Sequence, residues 1–271
     1  MWGVIPAAGR GSRIQPLAFS KELLPVGSRW DAGSERPMAV SEHLIERMLL
    51  AGVDKICFII SPGKSDILEY FGAEVQGAKI CYVVQEQPAG LCDALFRALP
   101  FIHDDESVCV GLPDTIWFPL DGFSALDGSG LSFLLFPVDN PQLFDAVDFD
   151  ERQSVRQIEV KKPDPKSHWV WGAFKISGSV LRELHALWRE PGGNDEYLGT
   201  LVNKFLTRGG SARAVPAGRA YVDVGTLHGY REAIHLLGRS QASNDAASQR
   251  EEQRLGSSPD RLGGPAVSRV G

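Results

Sequence analysis

Ile5-Pro-Ala-Ala-Gly-Arg-Gly-Ser-Arg13, followed by Pro16 and then by Ser20-Lys21-Glu-Leu-Leu-Pro25, is the stretch on which the reading of this chain turns. The apolar run Trp2 to Ile5 predicts a short strand that enters a turn of small residues, with the cations Arg13 and Lys21 just beyond it. Small side chains let backbone N–H groups approach phosphate oxygens, and the two cations neutralise the charge that remains. The pattern is that of a polyphosphate cradle and predicts binding of a nucleoside triphosphate.

Two other glycine loops fail on their residues. A dinucleotide fingerprint starting at Gly9-x-Gly11 requires a small residue at position 14, which is Ile, and an acid closing the next strand. That strand, Ile56 to Ile60, ends in Ser61-Pro62-Gly63. A Walker loop requires Gly-Lys-Ser or Gly-Lys-Thr, and Gly11 is followed by Ser-Arg.

Working outward, apolar β-branched runs alternate with helical patterns: the Val4 region, Ser41 to Leu50, Ile56 to Ile60, Asp66 to Phe71, Ile80 to Val84, Leu91 to Leu99 and Val108 to Leu112. Repeated strand and helix units predict an α/β fold with a Rossmann-like, mainly parallel (mixed) central sheet flanked by helices. Ligands of such sheets lie beyond the carboxyl ends of the strands, where the Gly9 loop and Asp114 are both expected. From Leu131 onward the runs Leu131 to Phe136, Phe144 to Phe149, Val155 to Val160 and Trp169 to Ile176 read as strands with few helices between. Leu181 to Trp188 and Tyr197 to Leu206 are expected to be helical. Ala220 to Val224 returns as a strand, and Leu227 to Leu237 forms a closing helix.

The organisation expected is one domain over residues 1–238, its first part about 1–130 and its second about 131–238, followed by a polar, aromatic-poor tail over 239–271 that reads as disordered. Residues 28–37 read as an exposed irregular loop. The 271 residues carry a net charge of −6 with acids and bases interspersed, so no basic stripe points to nucleic acid or an anionic membrane. No apolar run approaches the roughly 20 residues that span a bilayer, and the N-terminus begins a strand; a cytoplasmic protein is expected. Cys57, Cys81, Cys92 and Cys109 lack metal-ligand spacing and read as reduced thiols acting as small hydrophobes. The histidines likewise show no ligand-like spacing, and Trp169 and Trp171, at period two, read as core.

The opening segment resembles that of the sugar-phosphate nucleotidyltransferases, the group that includes glucose-1-phosphate thymidylyltransferase and UTP-glucose-1-phosphate uridylyltransferase. Their signature is a small-residue loop, Gly-x-Gly-(Ser/Thr)-Arg, a proline shortly after, and Lys-x-x-Leu-Pro. Gln85-Glu-Gln-Pro-Ala-Gly90-Leu-Cys-Asp-Ala94, Leu112-Pro-Asp114-Thr, Val160-Lys-Lys162-Pro163, Trp171-Gly172-Ala-Phe and Tyr221-Val-Asp223-Val-Gly225-Thr226 resemble the later motifs, in the same order. The resemblance implies the nucleotide-diphospho-sugar transferase fold, with nucleotide bound by the first part and sugar by the second. It also implies Mg2+-dependent transfer of a nucleotidyl group from dTTP or UTP to a sugar 1-phosphate, glucose 1-phosphate by default.

On this resemblance Ala8, Gly9, Gly11, Ser12 and Arg13 hold the triphosphate together with Lys21, while Gln85 and Gly90 meet the pyrimidine. Asp114 and Asp223, each at a strand end, converge on Mg2+, whose preference is for hard oxygen ligands. Lys162 binds the sugar phosphate, and Gly172 and Glu196 touch sugar hydroxyls. Arg13, Lys21, Asp114, Lys162 and Asp223 form the catalytic set. Taken without the resemblance, Arg13 is a solvated loop charge, Asp114 caps a turn, and Asp223 pairs with a neighbour such as Arg219. The partners implied are the triphosphate and the sugar 1-phosphate; oligomeric state is open.

Three departures concern the second part and the metal turn. Pro113 stands where the family has Gly, Lys161 stands where it has a sugar-contacting Glu, and Gly199-Thr200-Leu201 replaces a Leu-Thr-Asp end. Because proline fixes φ and removes an N–H, altered geometry is expected before Asp114. Alternatives are the same chemistry on another phosphorylated acceptor, or a catalytically silent regulatory subunit. The presence of all five charged residues favours an enzyme.

Overall fold

In the computed structural model, which describes residues 1–87, 89–191 and 195–239, the chain opens on β1 (Trp2–Pro6). A hairpin of β2 (Pro25–Asp31) and β3 (Ser34–Ala39) leads into α1 (Val40–Leu50). Then come β4 (Lys55–Ile60), α2 (Ser65–Phe71), the short β5 (Glu74–Val75), β6 (Ala78–Val84), α3 (Gly90–Phe96), β7 (Ser107–Gly111) and β8 (Thr115–Phe118). The second half adds β9 (Leu131–Pro137), β10 (Ala146–Phe149), β11 (Val155–Glu159), β12 (Trp169–Ser177), α4 (Gly178–Trp188), α5 (Leu198–Thr207), β13 (Arg213–Val215) and β14 (Ala220–Asp223). A last helix, α6, covers residues 227–239.

The main sheet is mixed, as expected. β7, β1, β4 and β6 run parallel side by side, and β12 joins antiparallel to β7 and carries the strands of the second half. The continuous apolar run Ile56 to Ile60 is buried throughout, as a parallel strand covered on both faces must be. Its side chains alternate between two cores. Cys57 and Ile59 join the layer with Cys92 and Leu95 of α3, Leu181 of α4 and Leu201 of α5, whereas Ile56, Phe58 and Ile60 meet Leu44 and Met48 of α1 and Ile67 of α2. Each fully buried large apolar side chain contributes roughly 1.5–3 kcal/mol. Cys57, Cys92 and Cys109 are buried and Cys81 half-buried, consistent with hydrophobic roles. Trp171 belongs to the core and Trp169 packs against it.

Two features position the site. β8 and β14 pair antiparallel outside the main sheet, with Asp223 opposite Thr115. A third apolar cluster (Leu24, Val26, Val40, Ile116, Val222, Val224, Ala233 and Leu237) ties this pair to the first hairpin and to α6. From the other side, Arg47 of α1 donates from Nε and Nη2 to the Trp117 carbonyl, at 3.0 and 2.5 Å, and lies over the Trp117 ring.

The expectation of an irregular loop over 28–37 is corrected. Those residues form most of the β2–β3 hairpin, turning at Ala32 and Gly33, whose φ angles of 48° and 80° suit a tight two-residue turn. The segment shows little apolar alternation because its outer part is exposed, Trp30 included. The tail expected over 239–271 lies outside the described residues, except for Arg239 in α6. Among the described residues no helix is long and apolar enough to cross a membrane.

Candidate active site

The loops that follow β1, β4, β6 and β7 all leave the same end of the parallel strands, where backbone groups and side chains can reach a common ligand. The Ala7 N–H donates to the Ile59 carbonyl and the Gln85 N–H to the Ile60 carbonyl, both at 2.8 Å, so the first and third of these loops start fastened to the second strand. Gly11 has φ of +63°, and a Cβ there would stand 2.8 Å from Cδ of Lys21. The lysine stem therefore crosses the loop at the one residue that offers both the conformation and the room.

Four of the five charged residues expected in the catalytic set come together. Lys21 Nζ lies 2.5 Å from Asp114 Oδ2, and Arg13 Nη1 lies 2.9 Å from Asp223 Oδ2. The β8–β14 pairing brings the carboxylates to one place, with the Val224 N–H donating to the Asp114 carbonyl at 2.8 Å. The Gly225 N–H donates to Asp223 Oδ1, also at 2.8 Å. A Cβ added to Gly225 would meet Asp223 Oδ1 at 2.8 Å, Arg13 Nη2 at 3.0 Å and Asp114 Oδ2 at 3.1 Å, so the three side chains surround that point. Asp223 is thus partnered by Arg13, not by Arg219 as its local sequence allowed.

The two ion pairs differ in environment. Arg13 is 61% exposed, and such pairs are worth about 0–1 kcal/mol, which leaves its guanidinium ready to exchange onto another anion. Lys21 and Asp114 are mostly buried. Burial alone would lower the Lys21 ammonium, but Asp114, with help from Glu22 and Asp223, outweighs it and raises its pKa, so the lysine stays charged. With Pro113 in this turn, the Thr115 hydroxyl donates to the Leu112 carbonyl at 2.9 Å and closes it without an N–H from residue 113.

The residues expected to meet the pyrimidine also come together. Gln85 is buried, and its Nε2 donates to Asp93 Oδ2 at 2.6 Å and to the Gly90 carbonyl at 3.2 Å. Gly90, with φ of +86°, sits so close to Glu196 that a Cβ would fall 2.7 Å from the Glu196 carbonyl oxygen. That carbonyl also accepts from the Leu91 N–H at 3.2 Å. Glu196, expected among the sugar contacts, therefore lies against the start of α3.

Lys162 stands apart from the carboxylate cluster in its contacts. Its Nζ lies 2.6 Å from Glu159 Oε1, and Glu159 is further held by the Lys166 N–H at 2.8 Å. Gly172 sits where β12 shifts register, and a Cβ there would strike the Tyr221 ring at 2.3 Å. Its missing side chain lets Tyr221 lie on β12 two residues before Asp223. Lys161 adopts φ of +47° and donates its N–H to Asp145 Oδ1 at 3.3 Å.

Several residues around the site were missed by the sequence reading. Lys64 donates to the Ala7 carbonyl at 2.6 Å and to both oxygens of Glu22 at 2.7 Å, bracing the loop after β1 against the segment that carries Lys21. Burial pushes the Glu22 carboxyl up and the Lys64 ammonium down, each partly opposed by the other. Asp66 accepts from the Ser20 N–H at 2.6 Å and from its hydroxyl at 2.7 Å. The available signal was Ser61-Pro62-Gly63-Lys64 itself, a cation directly after a buried parallel strand.

Fold and site together describe an α/β protein with paired carboxylates and cations at the carboxyl ends of its parallel strands. Residues 2–240 match the family model described as nucleotidyl transferase. The chain belongs to that family and is a nucleotidyltransferase. It is 29% identical over 250 residues to a glucose-1-phosphate thymidylyltransferase of Neisseria meningitidis serogroup A, covering 88% of this chain and 82% of the relative. It is 28% identical over 251 residues to the protein of the same name from Mycolicibacterium smegmatis, with the same coverage of 88% and 82%. A Bacillus anthracis crystal structure assigned as a glucose-1-phosphate thymidylyltransferase superposes with a TM-score of 0.73 at 26% identity, over 86% of this chain and 94% of that one. The UTP-bound UGPase of Acinetobacter baumannii shares the fold, with a TM-score of 0.71 at 19% identity over 88% and 93% of the two chains.

Proposed function

We propose that this nucleotidyltransferase transfers a nucleotidyl group from dTTP or UTP to a sugar 1-phosphate, with glucose 1-phosphate the default acceptor, and releases pyrophosphate. The observation that carries the reading is the meeting of Asp114, Asp223 and Arg13 around one point beside Gly225, with Lys21 paired to Asp114. The names of the relatives support the same reaction.

In this reaction an oxygen of the acceptor phosphate bonds to the α-phosphorus while the bond from that phosphorus to the bridging oxygen breaks. Pyrophosphate leaves with the electron pair. The nucleophile is already ionised at neutral pH, so the work of the protein is to hold two anions in line and offset their charge. Arg13 takes the β and γ groups, where charge grows as pyrophosphate leaves, and Lys21 works beside it, with the small loop residues Ala8, Gly9, Gly11 and Ser12 admitting the phosphates. Gln85 and Gly90 meet the base. Lys162, oriented by Glu159, receives the acceptor phosphate, and Gly172 and Glu196 belong to the sugar end.

Asp114 and Asp223 fit Mg2+, since that ion commonly takes one or two protein carboxylates together with substrate phosphates and water. When bound it supplies charge neutralisation at the reacting phosphates. A second acceptor class is favoured by one observation: Lys161 stands where the family carries an acid, and its N–H at 3.3 Å and its ammonium at 4.0 Å both face Asp145 Oδ1, so this position holds a cation paired with Asp145 in place of a free carboxylate.

The test is pyrophosphate release from each common triphosphate with Mg2+ against a panel of sugar 1-phosphates and alcohol phosphates, with acceptor-free controls. Release that requires dTTP or UTP and a sugar 1-phosphate is expected. Release only with alcohol phosphates, or with no acceptor at all, overturns the reading.

A further inference from the structure

We infer that Asp93 sets which bases this enzyme accepts, by locking the side-chain amide of Gln85 in one orientation. The inference rests on the proposed meeting of Gln85 with the donor base and concerns a residue eight positions further along, in α3, that does not itself need to touch the nucleotide.

Gln85 follows β6 and is held at both ends. Its backbone N–H donates to Ile60, and its Nε2 donates to Asp93 Oδ2 at 2.6 Å and to the Gly90 carbonyl at 3.2 Å. The Asp93 oxygen, which also accepts from Arg97, and a backbone carbonyl both act as acceptors here, so the amide must turn its NH2 to them. A reversed amide would set its oxygen against two acceptors in a buried place, where mismatched polar groups are costly. Asp93 is itself held in place. Arg97, one turn further along, donates from Nε to Asp93 Oδ2 at 2.8 Å and from Nη2 to Oδ1 at 3.4 Å, and from Nη1 to the Val84 carbonyl at 3.3 Å. The result is a relay, Arg97 to Asp93 to Gln85, anchored to the strand that delivers Gln85.

With its NH2 committed, Gln85 has only the amide oxygen left for a base, and that oxygen is an acceptor. It pairs with a ring N–H such as N3–H of uracil and thymine or N1–H of guanine. Cytosine and adenine present a lone pair at the corresponding ring nitrogen, which the oxygen repels. The relay therefore selects donors that carry a ring N–H on that edge. Asparagine at position 93 can donate as well as accept, so Asp93→Asn frees Gln85 to reverse and present NH2 to cytosine.

The experiment measures kcat/KM for dTTP, UTP, GTP, CTP and ATP with saturating acceptor and Mg2+, in the wild type, Asp93→Asn, Asp93→Glu and Gln85→Leu. The wild type is expected to prefer dTTP or UTP over CTP. In Asp93→Asn that preference should fall about tenfold or more, the scale of one hydrogen bond gained or lost, with acceptor KM unchanged. Asp93→Glu, which keeps an accepting carboxylate, should restore it in part. A merely structural role for Asp93 would lower all five values together and leave the ratio alone, which overturns the inference, as does a wild-type preference for CTP or ATP. Should Gln85→Leu leave the preference intact, the base contact itself is wrong; if Gln85→Leu abolishes it and Asp93→Asn does not, only the role of Asp93 is wrong. If Asp93→Asn does not fold, Arg97→Leu should shift the ratio in the same direction by a smaller factor, and an unchanged ratio there overturns the inference.

Discussion

Arg13 and Asp223, 210 residues apart in the chain, are joined by a 2.9 Å ion pair across the mouth of the candidate active site. With Lys21 on Asp114 alongside, each carboxylate suited to Mg2+ is held by a cation suited to phosphate. A Mg2+–triphosphate complex offers both sets new partners at once, metal for the carboxylates and phosphates for the cations. Metal or triphosphate alone frees one side and strands the other.

Binding of the two is therefore expected to be cooperative. By calorimetry UTP or dTTP should bind about tenfold more tightly with Mg2+ than with a chelator, a coupling ordinary in size for linked sites. Asp114→Asn and Asp223→Asn should each abolish most of that gain and lower kcat by about a hundredfold or more while the protein stays folded by circular dichroism. Equal affinity with and without Mg2+, or full turnover in either variant, would sink the shared-metal reading.

Gly225 offers a sharper test, because its side-chain position is the point the charged groups surround. Gly225→Ala introduces a methyl 2.8 Å from Asp223 Oδ1 and 3.0 Å from Arg13 Nη2. Turnover is expected to fall about a hundredfold, the scale seen when a single transition-state contact is displaced. Thermal unfolding should change little. A fully active Gly225→Ala enzyme would show that the surrounded point is not where metal or phosphate is held.

Lys64 and Glu22 make a buried ion pair that braces the loop after β1. Removing one partner leaves the other charge buried and uncompensated, so Lys64→Met should cost about 3–5 kcal/mol, whereas Lys64→Met with Glu22→Leu should cost much less. Denaturant titration of the single and double variants, read as a mutant cycle, measures the difference. Additive losses would mean that the pair is not energetically coupled.

His43 links stability to pH. It is buried, with Nε2 2.8 Å from the Val26 carbonyl, and burial is the main cause that lowers its pKa from 6.5 to about 4, assisted by Arg47. Between those values the unfolded chain binds the proton and the folded one does not, so stability is lost as pH falls through this window, by up to about 3 kcal/mol. The His43→Gln variant should show a flatter decline between pH 7 and pH 4 in chemical denaturation. An equally steep decline would assign the acid sensitivity to other groups.

The strands of the parallel half, the small-residue loop after β1 and the cations Arg13 and Lys21 beside it were legible because each is written in a short run of residues: an unbroken apolar stretch for a strand covered on both faces, small residues for close backbone approach. The β2–β3 hairpin was not legible. Its residues from Ser28 to Pro37, exposed from Trp30 onward, need no apolar alternation, and what makes them strands is their pairing with each other around Ala32 and Gly33. Lys64 and Asp93 were present in the sequence as an ordinary charge after a strand and an ordinary acid in a helix. Their meaning depends on Glu22 and Gln85, the residues they face.

The sequence by itself determined an α/β chain with a small-residue loop after its first strand and two strand-end aspartates, because hydrophobic periodicity and turn chemistry act over a few neighbouring residues. That Asp114 meets Asp223, that Arg13 rather than Arg219 partners Asp223, and that Glu196 lies against Gly90 were decided only by the tertiary structure. Those contacts follow from the antiparallel register of β8 on β14 and from the packing of segments distant in the chain, and no local pattern specifies which such segments come together.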